Sequence, residues 1–205
     1  MKNLSKIIFL AILLVCSTEN AYAKSSKDKK KPKTEVTNEA ADPATEKTWE
    51  TFKLKSKLAE GKIKTAFPSE PVKEKNKGID IFTATDNAVT YSLTVMENET
   101  FEKLYNTQAI ERSNYNDDME FKVAYLDAFI KEQMKLQHFT TYLLTQDNGN
   151  LILDAVSVNA ENNETFKDRI VVTSHAGYIL TTVVPAEQQD QHDLFINSFK
   201  VKSPK

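Results

Sequence analysis

The side chains that could bind a metal ion are few and widely separated in this sequence. The strongest metal ligands present are His138, His175 and His192, and no two of them stand three or four residues apart. A zinc site built on one helix or one hairpin needs such spacing, usually together with cysteines. The one cysteine of the chain is Cys16. We therefore expect no metal site, and the alternative is a zinc site assembled from distant segments.

Residues 114–120 come closest to a calcium loop, because side chains with oxygen atoms alternate along them. An EF-hand loop starting at residue 114 would need glycine at its sixth position and glutamate at its twelfth. Those positions hold Met119 and Tyr125. Acidic residues in the first turn of a helix explain the same pattern, so we expect neither calcium nor another cofactor here.

The sequence also lacks the motifs of common enzymes. A serine hydrolase presents its nucleophile on a Gly-x-Ser-x-Gly turn, and none is formed by the four glycines, which are Gly61, Gly78, Gly149 and Gly177. We expect a turn at each of these glycines, which leaves none for a phosphate-binding loop. The sequence therefore predicts a protein that is not an enzyme, with an uncharacterised hydrolase as the alternative.

Arg112 and Arg169 are the two arginines of a lysine-rich chain. Arginine is favoured where a planar set of donors must hold a carboxylate or a phosphate. Arg169 lies inside a predicted strand, where it could contact a ligand or form an ion pair with a neighbouring strand. We take it as a candidate ligand or partner contact and leave both alternatives open.

The first 23 residues have the three parts of a cleavable export signal. Lys2 and Lys6 give a short positive segment, residues 7–16 form an apolar run, and residues 21–23 read Ala-Tyr-Ala. The apolar run has about half the ~20 residues that a membrane-spanning helix needs. Removal of the signal would also remove Cys16, so the mature chain would contain no cysteine and no disulfide. An exported domain without cysteine suits a bacterial periplasmic or secreted protein.

A lysine-rich tail follows the predicted signal over residues 24–47. Val36 is its one branched aliphatic residue, and it contains no aromatic residue. Such a segment cannot bury enough apolar surface to offset its loss of entropy on ordering, so we expect a disordered linker. Its lysines could make peripheral contact with an anionic membrane surface, and the alternative is a solvated tether.

Alternation of apolar and polar residues after residue 48 predicts antiparallel strands joined by short turns. Asn148-Gly149 between two apolar runs is a strong hairpin signal. The predicted strands are two hairpins, residues 49–56 with 62–67 and 79–85 with 89–95, and a meander of residues 139–146, 151–158, 166–173 and 178–184.

Helical spacing appears twice. Residues 117–137 place Met119, Leu126 and Met134 on one face, and a second stripe of Phe121, Tyr125 and Phe129 lies beside it. A second helix is predicted from Pro185 to about residue 198, and residues 99–113 are ambiguous. These elements predict an α+β domain over residues 48–205, with an antiparallel sheet of about six to eight strands and with the long and the C-terminal helix on one face.

The order of these elements is accompanied by several short motifs over residues 50–200. They are Phe67-Pro68-x-x-Pro71, Tyr91, the helix around Leu126, Gly149, Arg169, Tyr178 and Phe195-x-x-Ser198-Phe199-Lys200. In this arrangement the chain resembles the PsbP/DcrB-like group of small exported domains. That resemblance implies a non-enzymatic partner protein, because known members include a photosystem II accessory subunit, a nuclear import release factor and bacterial envelope lipoproteins. It transfers no catalytic residue.

The sequence therefore predicts an exported, non-enzymatic binding or accessory module of the bacterial cell envelope. We expect a monomer that docks on an envelope protein through the sheet face left open by the helices. The alternative is a carrier or sensor of a small apolar ligand, held between the sheet and the long helix by Tyr125 and Phe129. We expect no nucleic-acid partner, because the domain after residue 48 is acidic and lacks a clustered positive face.

Overall fold

A computed structural model describes residues 49–59 and 61–202 of the chain. The export signal and the lysine-rich linker predicted for residues 1–47 lie outside these described residues. The described part belongs to one packed unit that begins at Trp49.

Seven antiparallel strands of the described residues form the main sheet: β3 (Val72–Asn76), β4 (Ile79–Asp86), β5 (Val89–Glu97), β6 (Phe139–Asp147), β7 (Asn150–Asn159), β8 (Glu164–Val172) and β9 (Ala176–Pro185). Their order across the sheet is β3-β4-β5-β9-β8-β7-β6. The β6–β7 turn places Asn148 and Gly149 at φ 49° and φ 76°, the two positive values that a tight hairpin turn requires. The second predicted hairpin, β4–β5, and the predicted meander, β6 to β9, are both confirmed.

A smaller sheet of three strands packs on one face of the main sheet. Its order is β1 (Glu50–Leu54), β2 (Lys62–Phe67) and β10 (Lys200–Lys202), all antiparallel. The first predicted hairpin forms its β1–β2 pair. Strands β3 and β10 were not predicted, because both are short and rich in lysine, as edge strands often are.

Within the part of the chain that the structure describes, three α-helices complete the α+β fold that the sequence predicts: α1 (Asn98–Tyr105), α2 (Asp118–Lys135) and α3 (His192–Ser198). The long helix α2 begins where expected, because the Asp117 side chain accepts a hydrogen bond of 2.6 Å from the Met119 backbone N–H. The ambiguous residues 99–113 contain most of α1 and the start of a short 3₁₀ turn, Arg112–Asn114.

The buried face of α2 is broader than either predicted stripe. Phe121, Tyr125 and Phe129 are almost fully buried, and so are Leu126 and Ile130, whereas Met134 is 37% exposed. Both stripes therefore contribute to the core, and only the C-terminal end of the methionine stripe is exposed. The aromatic rings contribute the larger apolar area to this burial.

The C-terminal helix is shorter than predicted, and the expectation that it starts at Pro185 is wrong. Strand β9 continues to Pro185, which pairs with Glu164 at the end of β8. The β-branched residues Thr181, Thr182, Val183 and Val184 favour the strand that precedes it. The helix begins at His192.

The two predicted helices lie on opposite faces of the main sheet and not on one face. On the side of the small sheet, Phe195 of α3 contacts Phe67 and Tyr91, with ring centroids 5.2 Å and 5.6 Å apart. On the other side, Phe101 of α1 lies over Gly177, and the Phe129 ring of α2 packs on Tyr105 of α1. The chain after α3 forms β10, whose pairing with β2 holds α3 on the small-sheet side.

Gly177 lies within β9 and not in the turn that the sequence suggests. A Cβ atom on Gly177 would come within 2.3 Å of the Phe101 ring. We expect Gly177→Ala to lower the free energy of unfolding by about 1–3 kcal/mol, because the ring has to move away. Urea unfolding measures this effect.

Gly149→Ala is the matched control for that substitution. A Cβ there meets nothing within 4 Å, and Gly149 has φ 76°. We therefore expect a loss of about 1 kcal/mol from backbone strain alone. If Phe101→Ala in the same chain fails to relieve part of the Gly177→Ala loss, the close contact is not its cause.

Candidate docking surface

The small sheet and α3 leave part of the main sheet uncovered at strands β6, β7 and β8. Period-two alternation directs every second side chain of these strands to the small-sheet side, and the register aligns Leu143 with Asp154 and Asp154 with Arg169. Leu143 is 58% exposed and Val158 is 51% exposed. We call this surface the open face and define it by Leu143, Asp154, Val156, Val158, Lys167 and Arg169.

A shallow cleft of about 220 Å³ lies in the open face. Strand β6 contributes Thr141 and Leu143 to its lining, and Lys167 and His192 border it from β8 and the start of α3. Apolar side chains and charged groups therefore meet in one depression, which is the combination found at sites of protein and ligand recognition.

Arg169 of β8 and Asp154 of β7 form a bidentate ion pair. Arg169 Nε donates to Asp154 Oδ1 at 2.7 Å and Nη2 donates to Oδ2 at 2.8 Å. The hydrogen bonds to Asp154 raise the pKa of the guanidinium, although burial opposes them. The ion pair with a neighbouring strand, one of the two roles open to Arg169, is thus present on the open face.

Removing this pair should have a modest effect on stability. The side chains of Arg169 and Asp154 are 24% and 32% exposed, so we expect Arg169→Met to lower the free energy of unfolding by about 1 kcal/mol. Lys131→Met, which removes the far more exposed Lys131–Asp127 pair, should have no measurable effect. Equal losses for the two variants in urea unfolding would contradict this account.

A second group of polar side chains fixes the loop before α3 against the open face. Lys167 Nζ donates to Asp190 Oδ2 at 2.9 Å, and His192 Nδ1 lies 2.8 Å from Thr182 Oγ1. Burial raises the pKa of Asp190, but the hydrogen bonds from Lys167 and the His192 backbone outweigh it and the pKa is lowered. Burial and nearby Lys167 lower the pKa of His192. These contacts order the cleft before anything binds.

Tyr125 and Phe129 lie on the opposite face of the sheet from Arg169. They belong to an aromatic cluster in which Phe129 contacts Tyr105 at 4.9 Å and Phe139 at 6.0 Å between ring centroids. Tyr125 contacts Phe121 at 5.2 Å. The three candidate contact residues therefore do not converge, and aromatic side chains of the chain itself cover the apolar surface of α2.

Asp168 was not predicted from the sequence as a residue of interest, although the alternation of side chains along β8 indicates its position. It lies between Lys167 and Arg169, so alternation directs it to the opposite face, toward α1 and the core. Burial raises its pKa to about 6, although Thr181 Oγ1 donates a hydrogen bond of 2.6 Å to Oδ1. Burial and the nearby Asp168 raise the pKa of Tyr105.

Two of the histidines have different partners. His138 Nδ1 lies 3.0 Å from Gln133 Oε1 at the end of α2, and His192 Nδ1 lies 2.8 Å from Thr182 Oγ1 of β9. Within residues 49–59 and 61–202, no group of three His, Cys, Asp or Glu residues could hold a metal ion. The helices of this same part of the chain are all too short or too polar to span a membrane.

Comparisons with known proteins identify no family for this chain. No family model matches it, and no curated protein matches it. One similar solved structure is a Pseudomonas aeruginosa protein described as a "Protein of Unknown Function" and "Putative Regulator", with 12% identity and a TM-score of 0.34. The match covers 67% of this chain and 83% of that one. The resemblance to the PsbP/DcrB-like group stays a prediction.

Proposed function

We propose that this protein is an exported, non-enzymatic binding module of the bacterial cell envelope that docks on a protein partner through its open face. The observation that supports this function is the exposure of Leu143 and Val158 on a sheet face whose other half is covered. Large apolar side chains exposed on one sheet face of a small domain are candidates for an interaction site.

The chemistry of the open face favours a protein over a small charged ligand. Arg169 already forms a bidentate ion pair with Asp154, and Lys167 already forms an ion pair with Asp190. A ligand that relied on charge would have to displace these contacts. A protein partner can instead cover the exposed Leu143 and Val158 and leave the paired charges at the rim of the interface.

Photo-crosslinking in intact cells tests this function. A photoreactive residue at Val158 should capture one reproducible envelope protein. The matched control is Val72, an exposed valine at the opposite edge of the sheet, 64% exposed against 51% for Val158. Capture of the same protein with equal yield at both positions, or of nothing at Val158 when the protein is at its natural abundance, would contradict the proposal.

A further inference from the structure

Strand β6 is an edge of the main sheet without the usual protection of an edge. The three other edge strands of the described sheets, β1, β3 and β10, each carry at least one lysine. Lysine on an edge discourages pairing with another strand. Strand β6 reads FTTYLLTQD, with no lysine, arginine or proline, and its one charged residue is Asp147 at the end.

Most of β6 is regular and open to a second strand. An irregularity in the pairing with β7 lies between Phe139 and Thr141, and from Thr141 to Asp147 the register is continuous. Tyr142 is 48% exposed and Leu143 is 58% exposed. On such an edge, alternate backbone N–H and C=O groups point away from β7, where another strand can accept and donate to them.

We propose that β6 pairs antiparallel with β6 of a second copy of this chain, so that the two main sheets form one continuous sheet. A two-fold axis brings a strand opposite itself, and a charged strand would then face like charges. The stretch from Thr141 to Gln146 carries no charge, so self-pairing meets no such repulsion.

Helix α2 lies over the same edge and is compatible with this pairing. The Phe129 ring of α2 packs on Phe139 of β6, with ring centroids 6.0 Å apart, and on the exposed side of the helix Asp127 accepts from Lys131 at 2.6 Å. The exposed surface of α2 near the edge thus presents both signs of charge, so two copies of α2 can approach without net repulsion. This dimer differs from the monomer expected from the sequence. It forms through the backbone edge of β6, and Leu143 is the one residue that it shares with the open face.

Sedimentation of the purified full chain over a wide concentration range tests the pairing. The average mass should rise from one chain toward two as concentration increases. Leu143→Lys places like charges near the two-fold axis and should raise the dimer dissociation constant at least about tenfold. Val72→Lys changes an equally exposed aliphatic residue on β3 and should leave it unchanged. Circular dichroism melts of both variants serve as the control that each one folds.

Single cysteines give a second test that depends on geometry. In a Cys16→Ser background, cysteine replaces Tyr142, Leu143, Leu144 or Thr145 in turn, and mild oxidation should link two copies best at the position nearest the axis. Val72→Cys should form no linked dimer. A chain that stays monomeric at every concentration overturns the proposal, as does the absence of linkage at all four positions. Capture of β6 by a strand of another protein, with the purified chain monomeric, also overturns it.

Discussion

Replacing Phe195 by alanine should lower the free energy of unfolding by about 3–5 kcal/mol, the largest effect that we expect from one substitution in this chain. Phe195 is fully buried. Its ring contacts Phe67 of the small sheet and Tyr91 of the main sheet. Truncation leaves a cavity at the point where the two sheets and α3 meet, and neither sheet can close it alone.

The neighbouring residue provides the control. Leu194 is 44% exposed, so Leu194→Ala should change the free energy of unfolding by less than about 0.5 kcal/mol. Both changes shorten a large apolar side chain in the same short helix, and helix propensity affects them similarly. Urea unfolding followed by tryptophan fluorescence is a suitable measurement, because Trp49 packs edge-on against Tyr91 at 4.8 Å. Similar losses for the two variants would mean that α3 does not join the sheets as described.

Asp168→Asn should stabilise the protein at neutral pH by up to about 2–3 kcal/mol and leave its stability at pH 4 nearly unchanged. Burial raises the pKa of this carboxyl from 3.8 to about 6 in the folded chain. Between these two pH values the folded chain keeps the proton and the unfolded chain loses it. The folded state of the natural protein is therefore progressively destabilised as pH rises from about 4 to about 6.

Asparagine at position 168 stays neutral and can still accept the hydrogen bond from Thr181. The difference between the variant and the natural protein should therefore grow from pH 4 to pH 6 and then level off. Measuring urea unfolding of both at several pH values isolates this one group, because the other titrating residues are common to the two proteins. A difference that is constant with pH, or that is larger at pH 4, would contradict burial of Asp168.

The β-sheet was predictable because its signals are local. Apolar alternation and the Asn148-Gly149 turn are properties of neighbouring residues, and they fix hairpin register directly. The long helix was predictable for the same reason. Strands β3 and β10 were not, because charged edge strands lack an apolar pattern and form through pairing with β4 and β2.

The candidate site depends on which face of the sheet each helix covers. Hydrophobic periodicity shows that a helix has an apolar side, but it does not determine the sheet face on which that side packs. Helix α2 has two apolar stripes, so the sequence alone does not decide that Tyr125 and Phe129 belong to the core. The side of the sheet on which α3 packs depends on β10, which was not predicted. Arg169 was recognised from its residue type, whereas its pairing with Asp154 follows from the β7–β8 register.

We propose the open face as the surface through which this protein binds its partner. The most direct test is the affinity of purified protein for the partner captured from cells, measured for Val158→Asp and Val72→Asp. We expect Val158→Asp to weaken binding at least about tenfold, because a carboxylate would be desolvated in the interface. Val72→Asp, at the other edge of the sheet, should bind like the natural protein. Unchanged binding by Val158→Asp, or equal weakening by both variants, would contradict the claim.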